Sequence, residues 1–265
     1  MNAEEHLIEY KKNNYTVFKE IVPLSLISDL RRETDKAREI ARKGDGSQTQ
    51  RLQPISDYAS EINLKSFDDY FNLPELNQLI QKMFTPEFHY KETNRIGVLL
   101  EPKNLPYCTW WHRDWRDHME VEIFEELFKK EWERDIVDIS FAAQVNCPLY
   151  EDSCTWFVPG SGTRQVNFKE EEIVRDNFNK LNLSNLNYEE REQTCRRYAE
   201  SMPKAIQFHL KPGDFALYQS CGWHLGNYVP YKKRATLHHG VLKGDMTKYY
   251  MDRKIKLAEA IKRRK

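Results

Sequence analysis

The sequence predicts a mainly β domain, a sandwich or barrel with helices packed outside it. Three observations predict this. Many apolar runs have the length of a short strand, Gly/Pro turn chemistry separates several of them, and segments of helical period gather at the two ends and in two charged insertions. The 265 residues are read as a single domain, 1–265, long enough to bury a substantial core. The balance of 41 basic and 41 acidic side chains gives no net charge, so nucleic acid and an anionic membrane surface are not expected as partners. No run approaches the roughly 18 apolar residues of a membrane helix, and the polar start Met1-Asn-Ala-Glu-Glu-His has no signal-peptide character. Five cysteines, never spaced C-x-x-C, argue against a disulfide framework or a zinc ribbon, and a cytoplasmic location is expected.

Taken in order, residues 15–21 read as a strand. Pro23-Leu-Ser then opens a helix in which Leu26, Ile27, Leu30 and Ala37 recur at helical spacing, and Gly44-Asp-Gly-Ser ends it. A second helix runs over 74–83, with Pro74 at its first turn, where a missing N–H costs nothing. Strands are expected over 95–100, 109–115, 136–147, 155–158, 205–210, 215–220 and 234–242, with Pro159-Gly-Ser-Gly and Pro212-Gly-Asp as the clearest turns. Charged helical insertions fall at about 119–134 and 169–201. A basic amphipathic helix closes the chain over 247–265.

His112-Arg113-Asp114 is the sharpest local signal. In a strand, side chains two apart share a face, so His112 and Asp114 project together and Arg113 points away. One imidazole beside one carboxylate is two thirds of a facial triad. Two histidines and a carboxylate leave open positions on a metal, as non-haem iron oxygenases require. His224, in Gly222-Trp-His-Leu-Gly-Asn, is the candidate third ligand. His118 with Asp117, and the pair His238-His239, compete with it. The first two fall where the strand gives way to a helix, and a strand sends the second two to opposite faces.

Arg234 opens an apolar strand downstream of His224. A buried arginine is the natural partner for a carboxylate because its planar fork matches carboxylate geometry. Alternation puts Arg234, Thr236 and His238 on one face. Ala142, Gln144 and Asn146 likewise share a face that either lines a polar cavity or meets solvent.

The order of these features resembles the phytanoyl-CoA dioxygenase family. Asn14-Tyr-Thr-Val-Phe-Lys-Glu-Ile-Val-Pro looks like its opening strand and turn, and Trp111-His-Arg-Asp like its H-x-D. Phe157-Val-Pro-Gly-Ser-Gly looks like its V-P-G-S-H turn, and Lys211-Pro-Gly-Asp-Phe-Ala-Leu-Tyr like its G-D strand. His224 followed by Arg234 looks like its distal histidine and co-substrate arginine. The matches run from about 14 to 242. The resemblance implies a double-stranded β-helix, a jelly-roll or cupin-like barrel. It implies Fe(II) on His112, Asp114 and His224, with 2-oxoglutarate as co-substrate paired to Arg234 and O₂ as oxidant. Two departures stand out: Gly162 ends the turn where the family usually has His, and Gly226 stands where members often carry a serine that touches 2-oxoglutarate. Thr109, Thr236 and Gln144 are the expected further contacts of the co-substrate.

The activity so implied is hydroxylation of an unactivated C–H bond with release of succinate and CO₂. Halogenating relatives lack the carboxylate that Asp114 supplies, while desaturation and oxidative cyclisation would use the same ligands. A small polar metabolite is the expected substrate, in a cavity lined by Arg95, Trp110, Trp115, Asn146 and His238. Two other classes remain open: a macromolecule-modifying oxygenase that docks through the basic tail Lys262-Arg-Arg-Lys, and a non-catalytic 2-oxoglutarate-binding module. The insertion over 119–134 is either a lid over the barrel mouth or a helix packed outside.

Overall fold

Alternation along the central strands decides where the site lies. The computed structural model describes residues 2–84, 88–89, 96–243 and 246–264. Among these the strands are β1 (Tyr15–Phe18), β2 (Arg51–Leu52), β3 (Phe88–His89), β4 (Gly97–Leu100), β5 (Tyr107–Cys108), β6 (Ala143–Pro148), β7 (Thr155–Phe157), β8 (Ile206–Gln207), β9 (Phe215–Gln219), β10 (His224–Tyr228) and β11 (Ala235–Lys243). They form two antiparallel sheets. The larger runs β1-β9-β6-β11-β4-β2, with β3 also on β11; the smaller runs β5-β10-β7-β8.

On the large sheet, Ala143, Val145 and Cys147 of β6, Phe215 and Leu217 of β9, and Ala235, Leu237 and Val241 of β11 turn to one face. There they join Ile27, Leu30, Phe67, Tyr70, Leu76 and Ile80 from the N-terminal helices in the main core. The alternate residues, Gln144 and Asn146, Ala216 and Tyr218, His238, turn the other way, towards the small sheet. The small sheet is covered on its outside by the helix Tyr188–Glu200, whose Cys195, Tyr198 and Ala199 pack with Trp111, Trp156, Trp223 and Leu225. Helices thus cover the outer faces, and the space between the sheets holds aromatic packing (Phe157, Phe208, Tyr218) together with a polar cleft.

Several elements differ from expectation. The helix Ala3–Asn13 carried no strong periodic signal, since its buried residues are only His6 and Tyr10. Its start is a capping box, in which the Asn2 side chain accepts from the Glu4 and Glu5 amides and Glu5 accepts from the Asn2 amide. The expected strand over 109–115 is not formed: β5 ends at Cys108, and Trp115 has a left-handed φ of 70° that turns the chain. The expected strand over 136–147 begins only at Ala143, after Ala142 at φ 55°. That over 205–210 is reduced to β8, with Leu210 bridging Asp152. Conversely β10 was not expected as a strand, because its inward residues are His224, Gly226 and Tyr228 rather than apolar ones.

The two insertions are helical. In the first, which spans the helices from Val121 to Asp135, Ile123, Phe124, Phe128 and Trp132 are buried in a cluster with Phe141, Cys221 and Ala260. The closing helix Met246–Arg264 docks there: Arg253 is buried, donates to Glu131 and Asp135 at 3.2 and 3.1 Å, and lies over the Trp115 ring. Arg264 pairs with Glu126 at 2.8 Å. The closing helix is therefore packed against the first insertion through Arg253 and Ala260, while Lys262, Arg263 and Arg264 near its end are exposed. All five cysteines are free thiols, and no described helix is long and apolar enough to cross a membrane.

Candidate metal centre

His112 and His224 meet as a two-residue bridge between segments far apart in sequence. The His112 amide donates to the His224 carbonyl at 3.1 Å, and the His224 amide to the His112 carbonyl at 3.0 Å. Two residues on, the Asp114 amide donates to the Ser220 carbonyl at 2.9 Å. This pairing between distant segments, rather than strand alternation along 109–115, brings the three side chains together. One candidate ligand atom from each of His112, Asp114 and His224 lies within 4.8 Å of the others, the one such group of three or more His, Cys, Asp or Glu side chains among the described residues.

The ring orientations suit a metal. His112 Nδ1 lies 2.8 Å from the Trp110 carbonyl and His224 Nδ1 lies 2.9 Å from the Gly222 carbonyl. A carbonyl can only accept, so each Nδ1 carries the proton and each Nε2 presents a lone pair. Those Nε2 atoms stand 3.5 and 3.7 Å from Asp114 Oδ1. Ligand atoms about 2.1 Å from one ion and roughly at right angles stand ~3 Å apart, so a small inward movement would close the triad. Burial, reinforced by His224 beside it, pushes the His112 imidazole down to about 3, which keeps it neutral. Burial would raise the Asp114 carboxyl, but His224, His112 and His118 around it hold it below the usual carboxylate range. Neutral imidazoles and an ionised carboxylate are the ligand-competent forms.

Arg113, expected merely to point away, is fully buried behind the ligands. Its guanidinium donates to the carbonyls of Cys221, Ser161 and Arg164 and to Asn167 Oδ1, tying the H-x-D segment to the Pro159-Gly-Ser-Gly turn. Gly222 is required by packing: a Cβ there would stand 2.8 Å from the Phe157 ring and 2.9 Å from Ser161 Oγ.

The cleft that holds the triad measures about 360 Å³ and is also lined by Arg51, Thr109, Gln144, Asn146, Tyr228, Arg234 and His238. Arg234 is buried and held on three sides. Its amide donates to Glu101 at 2.8 Å, its carbonyl accepts from Arg38 at 2.8 Å, and its Nε donates to the buried Asp152 carboxylate at 2.8 Å. Burial would weaken the charge on Arg234, but Asp152 outweighs it and raises the guanidinium pKa. Among the described residues Nη1 and Nη2 have no hydrogen-bond partner, and the guanidinium lines the cleft.

Asn146 Oδ1 lies 2.8 Å from His238 Nδ1, and Gln144 Nε2 lies 2.7 Å from His238 Nε2, so the face they share lines a polar cavity. Asn146 Nδ2 donates to Thr155. Thr109 lines the cleft and its Oγ1 accepts from the Gly226 amide at 2.9 Å. Thr236 is different: its hydroxyl donates to Asp152 at 2.5 Å, behind Arg234, and it is not part of the cleft lining.

On the far side of Asp114 a second cavity of about 630 Å³ is lined by Trp115, His118, Phe141, Gln144, His238 and Lys254, among others. Of the residues expected at a substrate, Trp115 and His238 line this cavity. Trp110 packs on His112 with ring centroids 5.1 Å apart and lines neither space. Arg95 lies outside the described residues. Sequence reasoning missed Asp152, Tyr228 and Arg51, which carry no local periodic signal. It also set aside His118, whose Nε2 stands 3.7 Å from Asp114 Oδ1 although it lies outside the three-ligand group.

No family model matches the sequence, and no curated protein sequence matches it significantly. Solved structures do match in fold. EvdMO1 superposes with a TM-score of 0.57 at 12% identity over 89% of this chain, which spans only 49% of EvdMO1. AviO1 from Streptomyces viridochromogenes Tue57 gives 0.53 at 11% identity, over 91% of this chain and 95% of that one. SnoN, a non-heme alpha ketoglutarate dependent epimerase from nogalamycin biosynthesis, gives 0.52 at 12% identity, over 90% and 80% of the two chains. At such identities the likeness is one of fold: the chain has the fold shared by these three proteins, one of them a non-haem, 2-oxoglutarate-dependent enzyme.

Proposed function

We propose that this chain is an Fe(II)- and 2-oxoglutarate-dependent oxygenase on a double-stranded β-helix, hydroxylating an unactivated C–H bond of a small metabolite. The observation that carries this is the convergence of His112, Asp114 and His224, with both imidazoles pinned through Nδ1, in one cleft with a buried arginine. The donor set, two nitrogens and one carboxylate oxygen, fits ferrous iron that keeps positions open. SnoN, similar in fold, is also known in complex with Fe3+ and alpha ketoglutarate. Bound there, iron with 2-oxoglutarate and O₂ would supply the oxidising power for C–H cleavage, with succinate and CO₂ as co-products.

The chain's own residues supply the rest. Arg234 offers Nη1 and Nη2 to the far carboxylate of the co-substrate, while Asp152 holds its Nε and Glu101 its backbone amide. Asp114 borders both cavities, so a substrate in the larger one would lie next to the metal. That cavity is within the usual size for a metabolite site, and Trp115 and Phe141 beside His118, Gln144 and Lys254 suit a molecule with both apolar and polar faces. The docked closing helix, which contributes Met251 and Lys254 to this wall, favours a small molecule over a macromolecule gripped by the tail.

Uncoupled turnover tests the reading. Protein reconstituted with Fe(II) without oxygen is mixed with 2-oxoglutarate and metabolite pools, oxygen is admitted, and succinate is measured. His112→Ala, Asp114→Ala and His224→Ala should each abolish succinate, and Arg234→Ala should raise KM for 2-oxoglutarate. Labelled O₂ separates outcomes: hydroxylation leaves label in the product, whereas desaturation, cyclisation or epimerisation does not. Wild-type succinate release by His224→Ala would overturn the assignment.

A further inference from the structure

We infer that the hydroxyl of Tyr228 is the second polar contact for the far carboxylate of the co-substrate, standing where a side chain at position 226 would otherwise be. This rests on the proposal that the cleft takes 2-oxoglutarate. Along β10 the inward positions are His224, Gly226 and Tyr228. A Cβ on Gly226 would fall 1.8 Å from Tyr228 Oη, 2.1 Å from Cζ and 2.5 Å from Cε2. The phenol therefore folds back along its own strand into the space that glycine leaves, on the side of the metal ligand His224. No other residue type at 226 would admit it.

The ring is fixed in that position. It stacks on Tyr107 with centroids 4.8 Å apart, and the Arg234 guanidinium carbon lies 5.0 Å from its centroid. Tyr228 and Arg234 line the same cleft, and among the described residues the Tyr228 hydroxyl has no hydrogen-bond partner. Burial raises its pKa, so at neutral pH it is a donor and not a phenolate. Arg234, which lines the cleft, already gives Nε to Asp152, which leaves its two outer nitrogens for a ligand. A carboxylate placed before them has oxygen lone pairs to spare, and an O–H donor beside the guanidinium makes a short charge-assisted bond to one of them. Thr109, by contrast, faces the Gly226 amide, and Thr236 faces Asp152.

The test is calorimetric binding of 2-oxoglutarate to protein loaded with Mn(II), which holds the site without turnover. Tyr228→Phe keeps the ring and removes the donor. It should weaken 2-oxoglutarate binding by about ten-fold or more, as loss of a hydrogen bond to a charged group does, and leave Mn(II) affinity unchanged. Gly226→Ser alone should also lose binding, because its side chain collides with the phenol. The double variant Gly226→Ser, Tyr228→Leu should regain part of it, because the new hydroxyl takes the vacated space. Wild-type affinity in folded Tyr228→Phe, or no recovery in the double variant, would overturn the inference. If the wild type does not bind 2-oxoglutarate at all, the co-substrate reading itself fails. If it binds and Arg234→Ala weakens it while Tyr228→Phe does not, only the role of Tyr228 falls.

Discussion

Replacing Asp152 by Asn separates what the buried carboxylate does for folding from what it does for ligand binding. Asp152 Oδ2 accepts from Arg234 Nε at 2.8 Å and Thr236 Oγ1 at 2.5 Å, while Oδ1 accepts from the Cys154 amide at 2.8 Å. Asparagine can keep one set of contacts only. If its oxygen stays on Arg234 and Thr236, its NH₂ opposes the Cys154 N–H, and Arg234 is left buried without a counter-charge. Losing one partner of a buried pair typically costs about 3–5 kcal/mol, so the ligand-free variant should be destabilised by that amount. Ligand binding should change in the opposite sense. An incoming carboxylate roughly 8 Å from Asp152 is repelled by about 2 kcal/mol at an effective dielectric constant near 20, and the substitution removes that repulsion. At equal 2-oxoglutarate concentration the variant should therefore gain about 2 kcal/mol more ligand-induced stability than the wild type, which recovers part of the loss. Urea unfolding of the Mn(II) form with and without 2-oxoglutarate reads both terms. Unchanged ligand-free stability would refute the buried-pair argument. A ligand-induced gain smaller than that of the wild type would show that Asp152 aims Arg234 more than it competes with the ligand.

Three further outcomes follow from packing and titration. Gly222→Ala places a methyl group against Phe157 and Ser161; the strain should cost about 1–3 kcal/mol in unfolding and, because the Gly222 carbonyl holds His224 Nδ1, weaken Fe(II) binding measured without oxygen. Arg113→Leu leaves the carbonyls of Cys221 and Arg164 without a donor, while that of Ser161 keeps the Arg164 amide, and at about 1–3 kcal/mol per orphaned group it should lower the urea midpoint clearly. His239, buried against Tyr70 and Phe215, is pushed down by burial to about 4. Its folded pKa lies below its unfolded value of about 6.5, so its contribution is fully present above the latter and is lost as pH falls towards about 4. That amounts to on the order of 3 kcal/mol, and the difference between wild type and His239→Gln in metal-free urea unfolding across this window should report it.

The candidate metal ligands are legible because polar residues in an aromatic run, and a histidine after an apolar strand, are locally unusual. The local argument for them was nevertheless different from the structural one. His112 and Asp114 are expected to share a face because the segment is a strand, yet the segment only bridges His224 and then turns at Trp115. Long-range pairing does what alternation was expected to do. Arg234 was legible as an arginine heading an apolar strand. Its counter-ion Asp152 was not, because it lies in a connection after β6 and reaches Arg234 only through the folded sheet. Tyr228 was hidden for a similar reason: its position depends on the missing Cβ of Gly226, which a sequence reading sees only as an absent serine. The core strands were readable where one face is uniformly apolar, as in β6, β9 and β11. The small sheet was less so, since its inward face is the site itself.

Stoichiometric Fe(II) titration under exclusion of oxygen, followed calorimetrically, tests the central claim most directly. The wild type should bind one ferrous ion per chain, and His224→Ala, which removes the ligand supplied by β10, should lose that binding while keeping its fold by circular dichroism. Unaltered stoichiometry and affinity in His224→Ala would contradict it.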